Sequence, residues 1–225
     1  MTGALTLYRS SIGKKAVMAI TGMIGIAYVL VHMLGNLKIF EGPEQFNAYA
    51  EFLRTVGEPA IPRAGLLWLV RLVLLAAVIL HVTAAYQLTR MDWAGRTTRY
   101  AQWHPVQASF ASRTMRWGGV ILLLFVIYHL LHFTFGTVHP EFRRGDAYHN
   151  VIAGFQVWWV SIFYIAAMVA LGLHIYHGFW SMFQTLGLNN ATYNRLLRGL
   201  ALLFGLGIAA GFVSVPIAVL AGFLR

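Results

Sequence analysis

The side chains best placed to do chemistry in this sequence are its histidines. There are nine in 225 residues, beside no cysteine and only seven acidic residues. Six of them, His32, His81, His129, His132, His174 and His177, fall inside long apolar runs. An ionisable ring in hydrocarbon is costly and is expected to face a bundle interior with a partner. One such ring is explained by a hydrogen bond. One or two in each of four successive runs, and none in the fifth, call for a shared ligand. Neutral imidazole ligates iron well, and two imidazoles fill both axial positions of a planar macrocycle.

Depth sorts the six. His32 lies 17 residues beyond Lys15 and His129 lies 13 beyond Arg116, whereas His81 lies nine before Arg90 and His174 nine before Phe183. At 1.5 Å per helical residue, the first two stand roughly 20–25 Å from the basic ends of their runs and the second two roughly 13 Å. The spacing predicts an outer layer of His32 and His129 and an inner layer of His81 and His174. That is the arrangement for two stacked bis-histidine b haems. His132 lies further out and could also meet His32; His177 sits one turn nearer the inside than His174. Whichever of these are not ligands become propionate or quinone contacts, or interior hydrogen-bonders. The absence of cysteine removes c-type haem attachment, thiolate zinc sites and Cys-held iron–sulfur clusters.

The elements that must carry these residues are transmembrane helices. The chain is 59% hydrophobic and 11% charged, with a mean hydropathy of +0.66, so lipid must be part of its solvent. Five runs are long enough to span: 16–39, 65–88, 118–137, 157–183 and 200–224. The expected fold is an all-α membrane protein, a single unit over 1–225 in which the first four helices form the dihaem bundle. The third run is the least clean, because Tyr128, His129, His132 and Thr134 interrupt it. Trp68, Trp117, Trp158, Trp159 and Trp180 mark interfacial belts. The first run is too long for a signal sequence and reads as an uncleaved anchor.

Charge gives the direction. Arg9, Lys14, Lys15, Arg90, Arg96, Arg99, Arg113, Arg116, Arg195 and Arg198 face the single acid Asp92 on one side. The other six acids share the opposite side with five basic residues. The positive-inside rule then predicts the N-terminus inside and the C-terminus outside. The net charge of +10 is a topology signal, not a nucleic-acid surface. The outer loop around 42–63 should hold a short amphipathic helix near Phe46, Tyr49, Phe52 and Leu53. No loop is long enough for a soluble catalytic domain, so substrate chemistry requires partner proteins. The inner basic residues form the expected docking surface, helped by Trp93, Tyr100, Trp103 and His104. Candidate quinone contacts are Thr21, Ser181, Trp180, Gln184 and His177 near the inner layer, and His132, Glu51, Arg54 and Glu58 near the outer. Arg90 or Lys15 inside, and Arg143, Arg144 or His149 outside, are candidate propionate partners. Gly207 and Gly211 form a small-xxx-small pair for contact with the bundle or with another copy.

The same residues carry a family resemblance. Ser11-Ile12-Gly13-Lys14-Lys15, with Val31-His32-Met33-Leu34-Gly35-Asn36-Leu37, resembles the start of the succinate dehydrogenase cytochrome b558 subunits. Arg116 to His129 and Leu173 to Ser181 resemble their third and fourth helices. The resemblance implies a single-chain anchor with two b haems, ligated by His32 with His129 (distal) and His81 with His174 (proximal). It implies a bacterial cytoplasmic membrane, a flavoprotein and an iron–sulfur subunit docked on the cytoplasmic side, and electron transfer to a quinone, menaquinone by preference. Some fumarate-reducing relatives carry a glutamate two residues before the fourth ligand; here that position is Gly172, which favours succinate oxidation. The rival readings are the same dihaem bundle in a fumarate reductase, hydrogenase or formate dehydrogenase, a histidine relay in a transporter, and a haem-free anchor.

Overall fold

A computed structural model describes residues 9–95, 110–139 and 141–225. Helix α1 spans Ser11–Leu37; the Ser10 hydroxyl caps it by accepting the Gly13 N–H at 3.0 Å, and a 3₁₀ turn over Lys38–Glu41 extends it. Helix α2 spans Pro43–Thr55 and is the expected amphipathic segment of the outer loop. Pro43 opens it where a missing N–H costs nothing, and Gly42 before it has φ +101°, a value that favours glycine. Then come α3 (Gly65–Ala94), α4 (Phe110–His129), α5 (Ala147–Gln156), α6 (Trp158–Thr185) and α7 (Asn194–Leu220). Among the described residues there is no strand.

Among the described residues, five segments are long and apolar enough to cross a membrane: Ser11–Glu41, Gly65–Ala94, Thr114–Phe135, Trp158–Thr185 and Asn194–Leu220. They are the five expected runs. The fifth is displaced towards the N-terminus of the chain, because helix is already established at Asn194, well before the apolar run begins. Two features were not expected. The third span widens into a π-helical turn over Leu130–Phe135 directly after His129. The loop after it folds into α5, whose first turn is capped by the Asp146 carboxylate accepting the His149 N–H at 3.0 Å.

Helix α6 is the centre of the bundle. It packs most extensively on α7 and also on α4 and α1, while α3 packs mainly on α1. The fifth span is therefore integral to the bundle and is not appended to a closed set of four. Val160, Tyr164, Ala167 and Met168 of α6 meet Val215, Ala218 and Val219 of α7, with Phe125, Ile152 and Phe155 completing the core. A second cluster, Met33, Ile175 and Ile208, joins α1, α6 and α7. The close approach of α6 and α7 is at Gly172 and Gly205: a Cβ at Gly205 would stand 2.6 Å from the Gly172 carbonyl oxygen. Gly211 receives the Met33 side chain, but Gly207 faces open space, so the expected glycine pair is only half used. Outward apolar residues such as Leu69, Leu72 and Leu75 of α3, and Leu202, Leu203 and Leu206 of α7, are exposed, as a lipid-facing surface requires.

At the basic end, Arg116 pairs with Asp92 at 2.8 Å and joins the end of α3 to α4. Lys14 is buried and donates to the Arg9 carbonyl at 2.9 Å, so it does not offer the exposed docking cation expected of it. Arg96, Arg99, Tyr100, Trp103 and His104, also expected there, lie outside the described residues, as does the side chain of Arg113.

Candidate functional site

The helices bring the intramembrane histidines together in two pairs. His32 of α1 faces His129 of α4 with ring centroids 6.0 Å apart. His81 of α3 faces His174 of α6 with centroids 6.2 Å apart. Each pair spans two helices far apart in sequence, so the spacing is a product of the packing. Imidazole–metal bonds of about 2 Å, added to a ring radius of about 1.1 Å, would put two axial imidazoles on one metal about 6.2 Å apart, centroid to centroid. Both pairs fit that span. Among the described residues no group of three or more His, Asp or Glu could hold a metal ion. Two imidazoles alone leave a first-row metal short of ligands, so a group seated here must bring equatorial ligands of its own.

The outer pair sits among aromatic rings. Tyr28, one helical turn before His32, stacks on it with centroids 5.3 Å apart and planes at 10°. Phe125, one turn before His129, stacks similarly at 5.9 Å. These are i,i+4 contacts that helix geometry supplies without further help. Phe212 of α7 closes on His32 at 5.8 Å, while Phe133 and Tyr164 border His129.

The π-helical turn separates His132 from this pair. Its ring packs on Tyr128, Phe133 and Tyr164 and stacks on His139 with centroids 4.7 Å apart. His132 Nδ1 lies 3.1 Å from the Tyr164 hydroxyl, which stands 3.5 Å from His129 Nδ1. His139 Nδ1 accepts the Glu141 N–H at 3.3 Å, so its Nε2 carries the proton donated to the Asn150 carbonyl at 2.9 Å. Asn150 in turn exchanges two hydrogen bonds with the Arg143 backbone, at 2.7 and 2.8 Å. Helix α5 rides so close that a Cβ at Gly154 would come within 3.0 Å of His132 Cε1. Just beyond the membrane-spanning segment, the His149 N–H and the Asn47 side chain both donate to the Asp146 carboxylate, at 3.0 Å each, and hold its pKa below the ordinary aspartate value.

The inner pair is more polar. The Nδ1–Cε1 edge of His81 lies against α1, with Nδ1 3.1 Å from the Thr21 hydroxyl and Cε1 3.4 Å from where a Cβ on Gly22 would stand. His174 Nδ1 and His177 Nδ1 are buried with no hydrogen-bond partner among the described residues. Trp180 donates its indole N–H to Asn194 at 2.9 Å, and the Arg198 guanidinium lies over the same ring at 4.2 Å.

The polar residues expected to meet a quinone divide accordingly. The Thr21 hydroxyl, the Trp180 N–H and His132 Nδ1 are engaged within the protein. Glu51 pairs with Arg63 and Arg54 on the exposed face of α2. His177 keeps an unpartnered buried nitrogen. Sequence reasoning missed Tyr164, His139, Asn150 and Phe212 as neighbours of the outer histidines. The i,i+4 aromatic–histidine repeats at Tyr28, Phe125 and Tyr128 were the one available signal for the rings around them.

Residues 97–214 match the family model described as succinate dehydrogenase/fumarate reductase transmembrane subunit. That stretch is just over half of the chain and includes His129, His132, His174 and His177; His32 and His81 precede it. No curated protein and no solved structure matches the chain.

Proposed function

The chain belongs to the succinate dehydrogenase/fumarate reductase transmembrane subunit family, and from that premise we propose that it is a dihaem cytochrome b anchor of the b558 type. One observation carries the proposal: two histidine pairs at 6.0 and 6.2 Å, each joining different spans, in a chain without cysteine. His32 and His129 would hold the outer b haem, and His81 and His174 the inner one. Bound there, haem would supply one-electron transfer, with the four imidazoles as its protein ligands.

The chain's own residues do the remaining work. Thr21 and the stacked Tyr28 and Phe125 orient the imidazoles, and the apolar spans keep water from them. The flavoprotein and iron–sulfur partners dock on the cytoplasmic, basic side, where Lys15, Arg90 and Arg195 remain exposed. A membrane quinone, menaquinone by preference, exchanges electrons with the chain, and the unpartnered His177 Nδ1 is the polar atom offered to it near the inner pair. Succinate oxidation on the flavoprotein, as in respiratory complex II of a bacterial cytoplasmic membrane, is the direction proposed.

The test is a reduced-minus-oxidised spectrum of the purified complex, with haem quantified per chain. Two b haems are expected, one of them lost in His32→Ala and the other in His81→Ala. Folded complex containing no haem would refute the reading and leave a haem-free anchor.

A further inference from the structure

Thr21 has a single hydroxyl proton and more than one candidate partner. Its oxygen stands 2.7 Å from the Val17 carbonyl oxygen, 3.3 Å from the Met18 carbonyl oxygen and 3.1 Å from His81 Nδ1. Two oxygens at 2.7 Å with no proton between them would repel, so the proton lies on the bond to Val17. The Thr21 oxygen can then only accept from His81, and the acceptance requires a proton on Nδ1. A neutral imidazole protonated on Nδ1 carries its free lone pair on Nε2.

We propose that Thr21 is a positioning residue for His81, its hydroxyl oxygen accepting Nδ1–H and so fixing the tautomer that presents Nε2 to the inner haem iron. The inference rests on the dihaem reading. Thr21 itself is buried in α1, one helix away from the histidine it holds. Gly22, beside it, leaves room for the ring edge. An acceptor on the far nitrogen also makes an imidazole a more basic ligand, which favours ferric over ferrous iron. The other histidines do not share the arrangement. Among the described residues His174 Nδ1 has no partner, and His129 Nδ1 has only the Tyr164 hydroxyl at 3.5 Å. The effect of Thr21 therefore belongs to the inner site alone.

The experiment is a spectroelectrochemical titration of both haems in the intact complex, with low-temperature EPR of the ferric state. His81→Ala first identifies which signal is the inner one. Thr21→Val keeps the side chain's shape and removes the acceptor; Thr21→Ser keeps the acceptor. In Thr21→Val the inner midpoint is expected to rise with its EPR signal altered, the outer midpoint to stay, and Thr21→Ser to resemble the wild type. A three- to tenfold loss of ferric preference corresponds to about 30–60 mV at 59 mV per tenfold for one electron. Selective loss of the inner haem in Thr21→Val, regained in Thr21→Ser, would support the same role. If Thr21→Val does not accumulate, Thr21→Ala removes the same acceptor and is read the same way. Two haems with unmoved midpoints, both midpoints moving together, or Thr21→Ser shifting as far as the acceptor-free variant would overturn the role. Wild-type complex without haem would instead overturn the dihaem reading itself, so the two failures are distinguishable.

Discussion

Replacing Gly205 by alanine tests whether the α6–α7 contact holds the bundle together. A Cβ there would meet the Gly172 carbonyl oxygen at 2.6 Å, with Tyr176 Cβ and N at 3.4 Å. The obstacle is backbone, so no side chain can swing away. Restoring an ordinary carbon–oxygen separation requires the helices to part by roughly 0.7–1 Å, and overpacking of this kind costs about 1–3 kcal/mol. Alanine also improves helix propensity by up to about 1 kcal/mol, which would mask part of the loss. Gly207→Ala, one half-turn on and facing open space, makes the same propensity gain without the clash. The difference between the two variants isolates packing and should be about 1–3 kcal/mol in favour of Gly207→Ala. Equilibrium unfolding in mixed micelles, followed by tryptophan fluorescence, measures it. Gly172 is two residues before His174, so on the dihaem reading Gly205→Ala should also disturb the spectrum of the proposed inner haem more than that of the outer. Equal stability of the two variants would refute the contact as drawn.

Two further outcomes follow from the outer end of the molecule. The Asp146 pKa is depressed by the His149 N–H and then by the Asn47 side chain, so the stability it lends α5 should be fully present above the unfolded-state value of about 4. That stability should fade as the pH falls through the lower native value. Hydrogen exchange at His149 and Asn150, corrected for intrinsic rates, should show it, and an unchanged acid response in Asp146→Asn would contradict it. Tyr164→Phe removes the hydroxyl 3.1 Å from His132 Nδ1 and leaves that nitrogen buried without a partner, a loss of about 1–3 kcal/mol. Thermal unfolding of the complex should fall accordingly, and a variant as stable as the wild type would show that the hydrogen bond contributes nothing.

The spans were legible because apolar length is a direct consequence of the bilayer's thickness. The histidine contacts join helices that a count of rise per residue from the basic ends had paired. His32 meets His129 and His81 meets His174, as the depth count had it. Helix ends were less visible: hydropathy detects the lipid-crossing part, whereas α1 starts where Ser10 caps it and α3 runs on to Ala94. Which glycines of the fifth span touch a neighbour depends on rotation about its axis. A helix apolar all round carries no stripe to fix that rotation, so the Gly207–Gly211 spacing was favoured over Gly205. The α5 segment was hidden for another reason. Its anchors are long-range, Asn47 reaching Asp146 at 3.0 Å and the Tyr148 N–H reaching Asn47 at 2.9 Å, across about a hundred residues of sequence. The close fit at Gly172, where a Cβ would stand 3.0 Å from the Gly205 carbonyl oxygen, also shows why this position takes no side chain here.

The two histidine pairs are held by different physics, and this bears on what each can tolerate. His32 and His129 are bordered by Tyr28, Phe212, Phe125, Phe133 and Tyr164, so their orientation comes from shape, and dispersion contacts are individually small and collectively large. Removing one ring from such a set leaves the others to hold the geometry. His81 has a directional hydrogen bond to Thr21, and among the described residues His174 has no polar partner at Nδ1. Directional bonds in a low-dielectric interior fix tautomer and basicity as well as angle, which packing does not do. On the dihaem reading, electronic tuning should therefore concentrate in the inner pair, on the side where the soluble partners are proposed to dock, and mechanical rigidity in the outer one. Substitutions around the outer pair should register first as stability, and substitutions around the inner pair first as potential.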